Sequence, residues 1–239
     1  MVSPADEPRP RRPRRTQGER RASSRAIILA AALEELYENG YAHSTTVTVQ
    51  RRAGVSRGRL LHHFPSRESL LIAAAQHLVV EQIADMEQWV LGSEYGRTTG
   101  PERCDRAVEL LWGTFAQPYF WASMELWVAA RTSTDIRNEL FPAERRLGVA
   151  VTHVVETMFG PVLSSHPDFD ECRDLLFTSM RGVAMTYAIH PRDPVTEPHL
   201  PSWKRLARRM LEVPDEDPAG GTGGQETPAN SSASAQSRA

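Results

Sequence analysis

Between residues 45 and 64 apolar positions recur at helical spacing in two short runs. Val49 and Ala53, four apart, share a face behind Thr45, whose hydroxyl can accept from the amides two or three residues on. Leu60 and Phe64 repeat the arrangement behind Ser56. Between the runs stands Gly54, where a helix ends in the left-handed conformation, and Val55 supplies an apolar plug for the turn. On a helical wheel Gly58, Arg59 and His62 lie opposite Leu60 and Phe64. The pattern predicts a helix-turn-helix over about 43–64, its second helix polar on the outer face and able to bring N-terminal side chains to base edges in the DNA major groove.

Downstream the periodicity stays helical, with no strand-like alternation and no internal repeat. Ser66 caps a helix predicted to about Leu91, with Leu70, Leu71, Ala74, Leu78, Ile83 and Trp89 among its buried positions. A polar loop from Gly92 to Gly100 leads to a helix over about 101–116, and Pro118 opens the next. There Phe120, Met124, Trp127 and Arg131 form one stripe, and Trp121 with Glu125 an adjacent one. A long helix follows from Thr134 to Phe159, bent near Pro142, whose ring clashes with the carbonyl four residues back, and stopped by Gly160-Pro161. The segment from Asp170 to Ile189 is apolar on most sides and reads as buried, with Ser179, Gly182 and Thr186 as a small-residue stripe. A final amphipathic helix over about 202–211 sets Trp203, Leu206, Ala207 and Met210 against Lys204, Arg205, Arg208 and Arg209.

Charge changes this picture at the two ends. Residues 1–18 are rich in Pro and Arg and lack apolar periodicity, so they are expected to be a disordered basic arm, either a solubilising tail or a strand of cations lying along DNA through residues such as Arg14 and Arg15. Residues 213–239 turn to Pro, acid, Gly and Ser and are expected to be a disordered tail. The net charge of -2 conceals a split: residues 1–68 hold thirteen arginines against seven acids, and the remainder fifteen bases against twenty-three acids. A polyanion would be drawn to the helix-turn-helix end and repelled elsewhere. With 40% apolar residues the chain can pack a core, and it has no run of eighteen apolar residues and no signal-peptide core, so a soluble, cytoplasmic protein without a membrane partner is expected. Cys104 and Cys172 have neither metal nor disulfide spacing and read as reduced structural thiols.

Several segments resemble the TetR-type transcriptional regulators. Ile28-Leu29-Ala30-Ala31-Ala32-Leu33, closing at Asn39-Gly40-Tyr41, is similar to the family's first helix; Ala53-Gly54-Val55-Ser56-Arg57-Gly58 is similar to its turn. His62-His63-Phe64-Pro65-Ser66-Arg67-Glu68-Ser69-Leu70-Leu71 is similar to the end of its recognition helix and the start of its fourth. The resemblance implies an all-α protein: an N-terminal three-helix DNA-binding domain (19–66) and a C-terminal helical domain for effector binding and dimerisation (67–212). Taken with the wheel, it places Thr45, Arg57, Gly58, Arg59, Leu61, His62, His63 and Arg67 on the DNA-facing surface, Arg67 resembling a family phosphate contact. Three positions depart from the family: Leu61 replaces a phosphate-touching Tyr, Gln50 an Ala between the helices, and Thr48 an acidic residue that often completes the cap. A leucine cannot donate to a phosphate, so Leu61 either meets a thymine methyl or leaves the anchoring to nearby arginines. Adjacent imidazoles at His62 and His63 diverge by about 100° on a helix and lack a third ligand, which argues against a metal.

The segment from Gln117 to Trp127, close in the chain to Trp112 and Phe115, is dense in aromatic and sulfur-bearing side chains. Such side chains either fill a core or wall an adaptable pocket. The family resemblance favours a pocket for a small apolar organic effector, lined by Trp112, Phe115, Phe120, Trp121 and Met124, with Glu125 or Arg181 meeting its polar end. No nucleophile elbow, metal set, phosphate loop or CxxC is present, so neither an enzyme nor a cofactor is expected. The reading is a homodimeric repressor released from a palindromic double-stranded DNA operator by its effector; the alternative is a helical adaptor without sequence-specific DNA binding.

Overall fold

The apolar run from Ile28 to Leu36 folds as the inner face of a helix longer than the pattern alone marks, α1 (Gln17–His43). In the computed structural model, which describes residues 17–214, eight further helices follow: α2 (Thr46–Ala53), α3 (Arg57–His63), α4 (Arg67–Gly92), α5 (Gly100–Thr114), α6 (Pro118–Ala130), α7 (Thr134–Ser164), α8 (Phe169–Thr186) and α9 (Leu200–Met210). Short 3-10 turns occupy Glu94–Arg97 and Pro194–Thr196, and there is no strand among the described residues. Arg14 and Arg15, with most of the C-terminal tail, lie outside the described residues.

Buried apolar side chains gather into two clusters. The first joins Ile28, Leu29 and Leu36 of α1 to Val49, Leu60 and Phe64 of the helix-turn-helix and to Leu70 and Leu71 of α4. Ala122, Leu126 and Ala130 of α6 and Ile136, Leu140 and Ala143 of α7 enter the same cluster, so this head packs directly on the rest of the chain. The second holds Val108, Leu111 and Trp112 of α5, Phe120 and Met124 of α6, Val155 and Phe159 of α7, Leu176 and Met180 of α8, and Trp203 and Ala207 of α9. Helices α6 and α7 therefore contribute to both.

Long α7 is apolar enough by composition to cross a bilayer, yet it carries Pro142, is packed by α4, α5, α6 and α8, and reads as a core helix. Its helical backbone runs through Pro142 and breaks instead at Gly160 (φ 80°, ψ 164°), a left-handed value that favours glycine, before a further turn. The break leaves carbonyls without helical partners, and the buried Arg103 guanidinium takes two of them, Met158 O at 2.6 Å and Thr157 O at 2.6 Å, while also donating to Tyr95 O of the 3-10 turn at 2.7 Å. A charge this deep is tolerable because each of the three guanidinium nitrogens has an acceptor.

Three expectations about burial change. Trp89 is exposed and stacks on Tyr95 at the surface. Helix α8 is apolar on most sides, but Leu175, Met185 and neighbouring Ile189 remain exposed, so a face of it is uncovered. Helix α9, by contrast, spends its apolar side on α5 through Trp203 and Ala207, while Arg208 grips Asp105 with two 2.7 Å bonds and Lys204 reaches Glu109 at 2.5 Å. Cys104 and Cys172 are buried and unbridged, and burial pushes their thiols up to about 12 and about 11, which leaves them un-ionised at neutral pH.

Candidate nucleic-acid interface and effector cavity

Local chemistry fixes the angle between α2 and α3. The Thr45 hydroxyl accepts from Thr48 N at 3.1 Å, and the Thr48 hydroxyl accepts from Thr45 N at 2.9 Å, so a threonine completes the capping box that an acidic residue would otherwise close. Gly54 (φ 64°, ψ 28°) ends α2 in the left-handed conformation, and Ser56 caps α3 by accepting from Arg59 N. With Leu60 and Phe64 buried, Arg57, Gly58, Arg59, Leu61 and His62 face outward; Leu61 is 41% exposed, beyond what packing requires. Nothing lies within 4 Å of where a Cβ on Gly58 would point, so that stretch of backbone is open to close approach. His63 is half-buried beside the Phe64 ring, and the described residues hold no metal-binding cluster.

Two arginines of the basic end are spent internally. Arg52 is bound to Glu35 at 2.7 Å, Glu38 at 2.7 Å and Glu34 at 3.2 Å, which ties α2 to α1 and holds the Glu38 carboxyl below the usual carboxylate range. Arg67 was expected at a phosphate. Instead its guanidinium lies 4.0 Å over the Tyr41 ring and donates to Ser44 O at 2.6 Å and to Tyr41 O. Its Nε and Nη2 are committed to the chain that joins α1 to α2, where Ser44 is buried and its carbonyl needs a partner, while Nη1 lies 4.0 Å from Glu68. Arg57 and Arg59 remain exposed on α3.

Between α4, α5, α6, α7 and α8 lies a cavity of about 530 Å³. Val79, Ile83 and Met86 of α4, Phe115, Tyr119, Phe120, Met124, Leu147, Val151 and Phe177 make its apolar wall. Glu144 of α7 and Arg181 of α8 also line it. Burial pushes the Glu144 carboxyl up, only partly countered by a hydrogen bond from Trp127 and the charge of Arg181. Burial pushes Arg181 down, with Glu144 offsetting part of it. The Arg181 guanidinium sits 4.7 Å over the Trp127 ring.

Of the expected lining residues, Phe115, Phe120, Met124 and Arg181 meet in this cavity, whereas Trp112, Trp121 and Glu125 do not line it. Trp112 is core: its ring packs on Trp203 and Tyr187, and its Nε1 donates to Pro194 O at 2.7 Å. Trp121 packs edge-on against Phe120. Glu125 points the other way, accepting Tyr41 N at 2.7 Å. Tyr119, Trp127, Glu144 and Phe177 were missed, although for Trp127 the signal was present: Phe120, Met124 and Trp127 form one wheel stripe, and Trp121 with Glu125 form its neighbour. The stripe that includes Trp127 faces the cavity, and the neighbouring stripe does not.

Residues 28–74 match the family model described as bacterial regulatory proteins, tetR family. The chain is 34% identical over 177 residues to the HTH-type transcriptional regulator CymR of Pseudomonas putida, covering 72% of this chain and 83% of CymR. It is 32% identical over 120 residues to the HTH-type transcriptional repressor AcnR of Corynebacterium glutamicum, covering 49% of this chain and 55% of AcnR. Among solved structures, the transcriptional regulator FadR of Bacillus subtilis in complex with stearoyl-CoA shares the fold, with a TM-score of 0.56 at 15% identity over 80% of this chain and 99% of FadR.

Proposed function

Because this chain belongs to the TetR family and is a DNA-binding transcriptional regulator, we propose that it works in the cytoplasm as a homodimeric repressor whose cavity takes an apolar organic effector and thereby releases a palindromic operator. In this reading residues 19–66 read DNA and residues 67–212 bind effector and partner. Arg57, Gly58, Arg59, Leu61 and His62 meet the major groove, with Arg59 reading a base edge and Leu61 offering an apolar contact to a thymine methyl. Thr45 and His63 flank that surface.

The observation that carries the reading is the double duty of α6. Its Phe120, Met124 and Trp127 side lines the cavity, its Ala122, Leu126 and Ala130 side is core of the head, and Glu125 holds the turn that ends α1. A ligand that shifts α6 therefore acts on the element that orients the two recognition helices. By linkage, effector must weaken DNA binding by the factor by which DNA weakens effector binding. The names of AcnR, a repressor, and of FadR, bound to stearoyl-CoA, support the same direction.

Two heads on half-sites one turn apart, ~34 Å, require a two-fold dimer. The uncovered face of α8 around Leu175, Ser179, Gly182, Met185 and Thr186 is the surface assigned to it, whereas the sequence offers the helix over 202–211 as a second candidate whose apolar side is already occupied by α5. The test is fluorescence anisotropy with DNA from upstream of the gene and with scrambled DNA of equal length. A regulator prefers the former by about 10³-fold or more at physiological salt, and equal affinity for both would remove the reading.

A further inference from the structure

The cavity carries two ionisable side chains that differ in one decisive respect. Glu144 can shed its charge by taking up a proton, and its burial already pushes it that way. Arg181 cannot, since a guanidinium stays protonated in proteins. Its Coulomb partner Glu144 lies beyond ion-pair distance, and among the described residues Arg181 has no salt bridge and no hydrogen bond. Its flat face rests on Trp127, which stabilises the cation and leaves the N–H edge free to meet a ligand. The other cation at the cavity, Arg173, is already bound to Asp170 at 2.6 Å and to Asp174 at 3.0 Å. One fixed positive charge at the wall of a largely apolar cavity is therefore left without a protein acceptor.

We propose that this cavity is built for an organic anion, an apolar body ending in a single carboxylate that pairs with the Arg181 guanidinium. The inference rests on the cavity being the effector site and adds the chemical class of the effector. Tyr119, Phe120, Met124, Val151 and Phe177 receive the apolar body, and a carboxylate fits the planar donor edge of Arg181 with two parallel bonds. An organic cation would find Glu144, aromatic rings and an Asp174 already held by Arg173, and it would have to approach the unpaired positive charge of Arg181.

The head group is tested with two bodies, 4-phenylbutyrate and octanoate, each beside its amide and its amine, by calorimetry and tryptophan fluorescence. The carboxylate should bind about tenfold tighter than the amide, and the amine most weakly. Arg181→Met, at an unchanged melting temperature, should bring the carboxylate down to the level of the amide, and Arg181→Lys should keep part of the preference. An amine that binds first, a carboxylate preference that survives Arg181→Met, or no binding of either carboxylate would overturn the inference. Val151→Trp, which fills the chamber, separates the two levels. If it leaves carboxylate binding intact, the site lies elsewhere and the cavity reading fails with the inference. If it abolishes binding while the head-group order ignores Arg181, only the assignment of the anion to Arg181 falls.

Discussion

Glu125 on α6 accepts the backbone N–H of Tyr41 at 2.7 Å, and its carboxylate fills the space beside Gly40, where an added Cβ would come within 3.1 Å of Oε2. The bond crosses from the helix that walls the cavity to the turn that ends α1. Glu125→Ala should leave operator affinity and effector affinity each within a few-fold of the parent while weakening their coupling by about 1 kcal/mol, roughly fivefold. Operator affinity measured with and without a releasing ligand reads this directly, and an undiminished release response would show that the bond is not part of the coupling.

Arg59 and Arg67 should separate cleanly. Arg59→Ala is expected to lose roughly 1–3 kcal/mol of discrimination at one or two base pairs without lowering the melting temperature. Arg67→Met removes the donors of Ser44 O and Tyr41 O and should instead destabilise the head by about 1–3 kcal/mol, with the salt slope of DNA binding close to that of the parent. Thermal melting beside a salt titration of DNA affinity checks both, and a flattened slope for Arg67→Met would restore it to the phosphate backbone.

Gly182→Arg should convert a dimer to a monomer in light scattering, because Gly182 lies exposed between Leu175 and Met185 on the uncovered face of α8. Trp203→Ala on α9 should behave differently. It opens a hole against α5 and is expected to cost about 3–5 kcal/mol of stability while the mass at low temperature stays dimeric. Dissociation by the α9 variant, with the α8 variant still dimeric, would reverse the assignment.

Glu144 supplies a pH signature. Burial raises its pKa above the ordinary 4.5, so the native state binds the proton more tightly than the unfolded chain does. The folded state is therefore relatively favoured at low pH and loses that advantage as pH rises from the unfolded pKa through the raised native one. Glu144→Gln should raise the melting temperature at pH 7 and give no gain at pH 4, where both states of the parent carry the proton. A stability gain independent of pH would mean that the amide acts through packing.

The head was legible because its signals are local. A cap, a left-handed glycine and a four-residue apolar repeat each act within one turn of helix, and Thr45, Gly54 and Ser56 stand where the pattern puts them. The helix count of the body was legible for the same reason. What was not legible depends on contacts distant in sequence: Arg67 looked like a surface cation and is engaged by carbonyls 23 and 26 residues away, and Glu144 acquires its surroundings from Trp127 and Arg181 on other helices. The cavity was half legible. Aromatic density located α6, but α6 packs on three sides, and only the split between the Phe120 and Trp121 stripes tells cavity from core.

The clasp of Arg103 on the carbonyls beside Gly160 makes α7 a lever with one fastened end. Its other end, Ile136 and Leu140, is embedded in the head's core, and Glu144, Leu147 and Val151 touch the cavity in between. At about 1.5 Å per residue, Val151 stands roughly 13 Å and Ile136 roughly 36 Å from the fulcrum. A rigid tilt about Gly160 would move the head end nearly three times as far as Val151, so a small displacement at the cavity wall would reach the packing beneath the recognition helix enlarged.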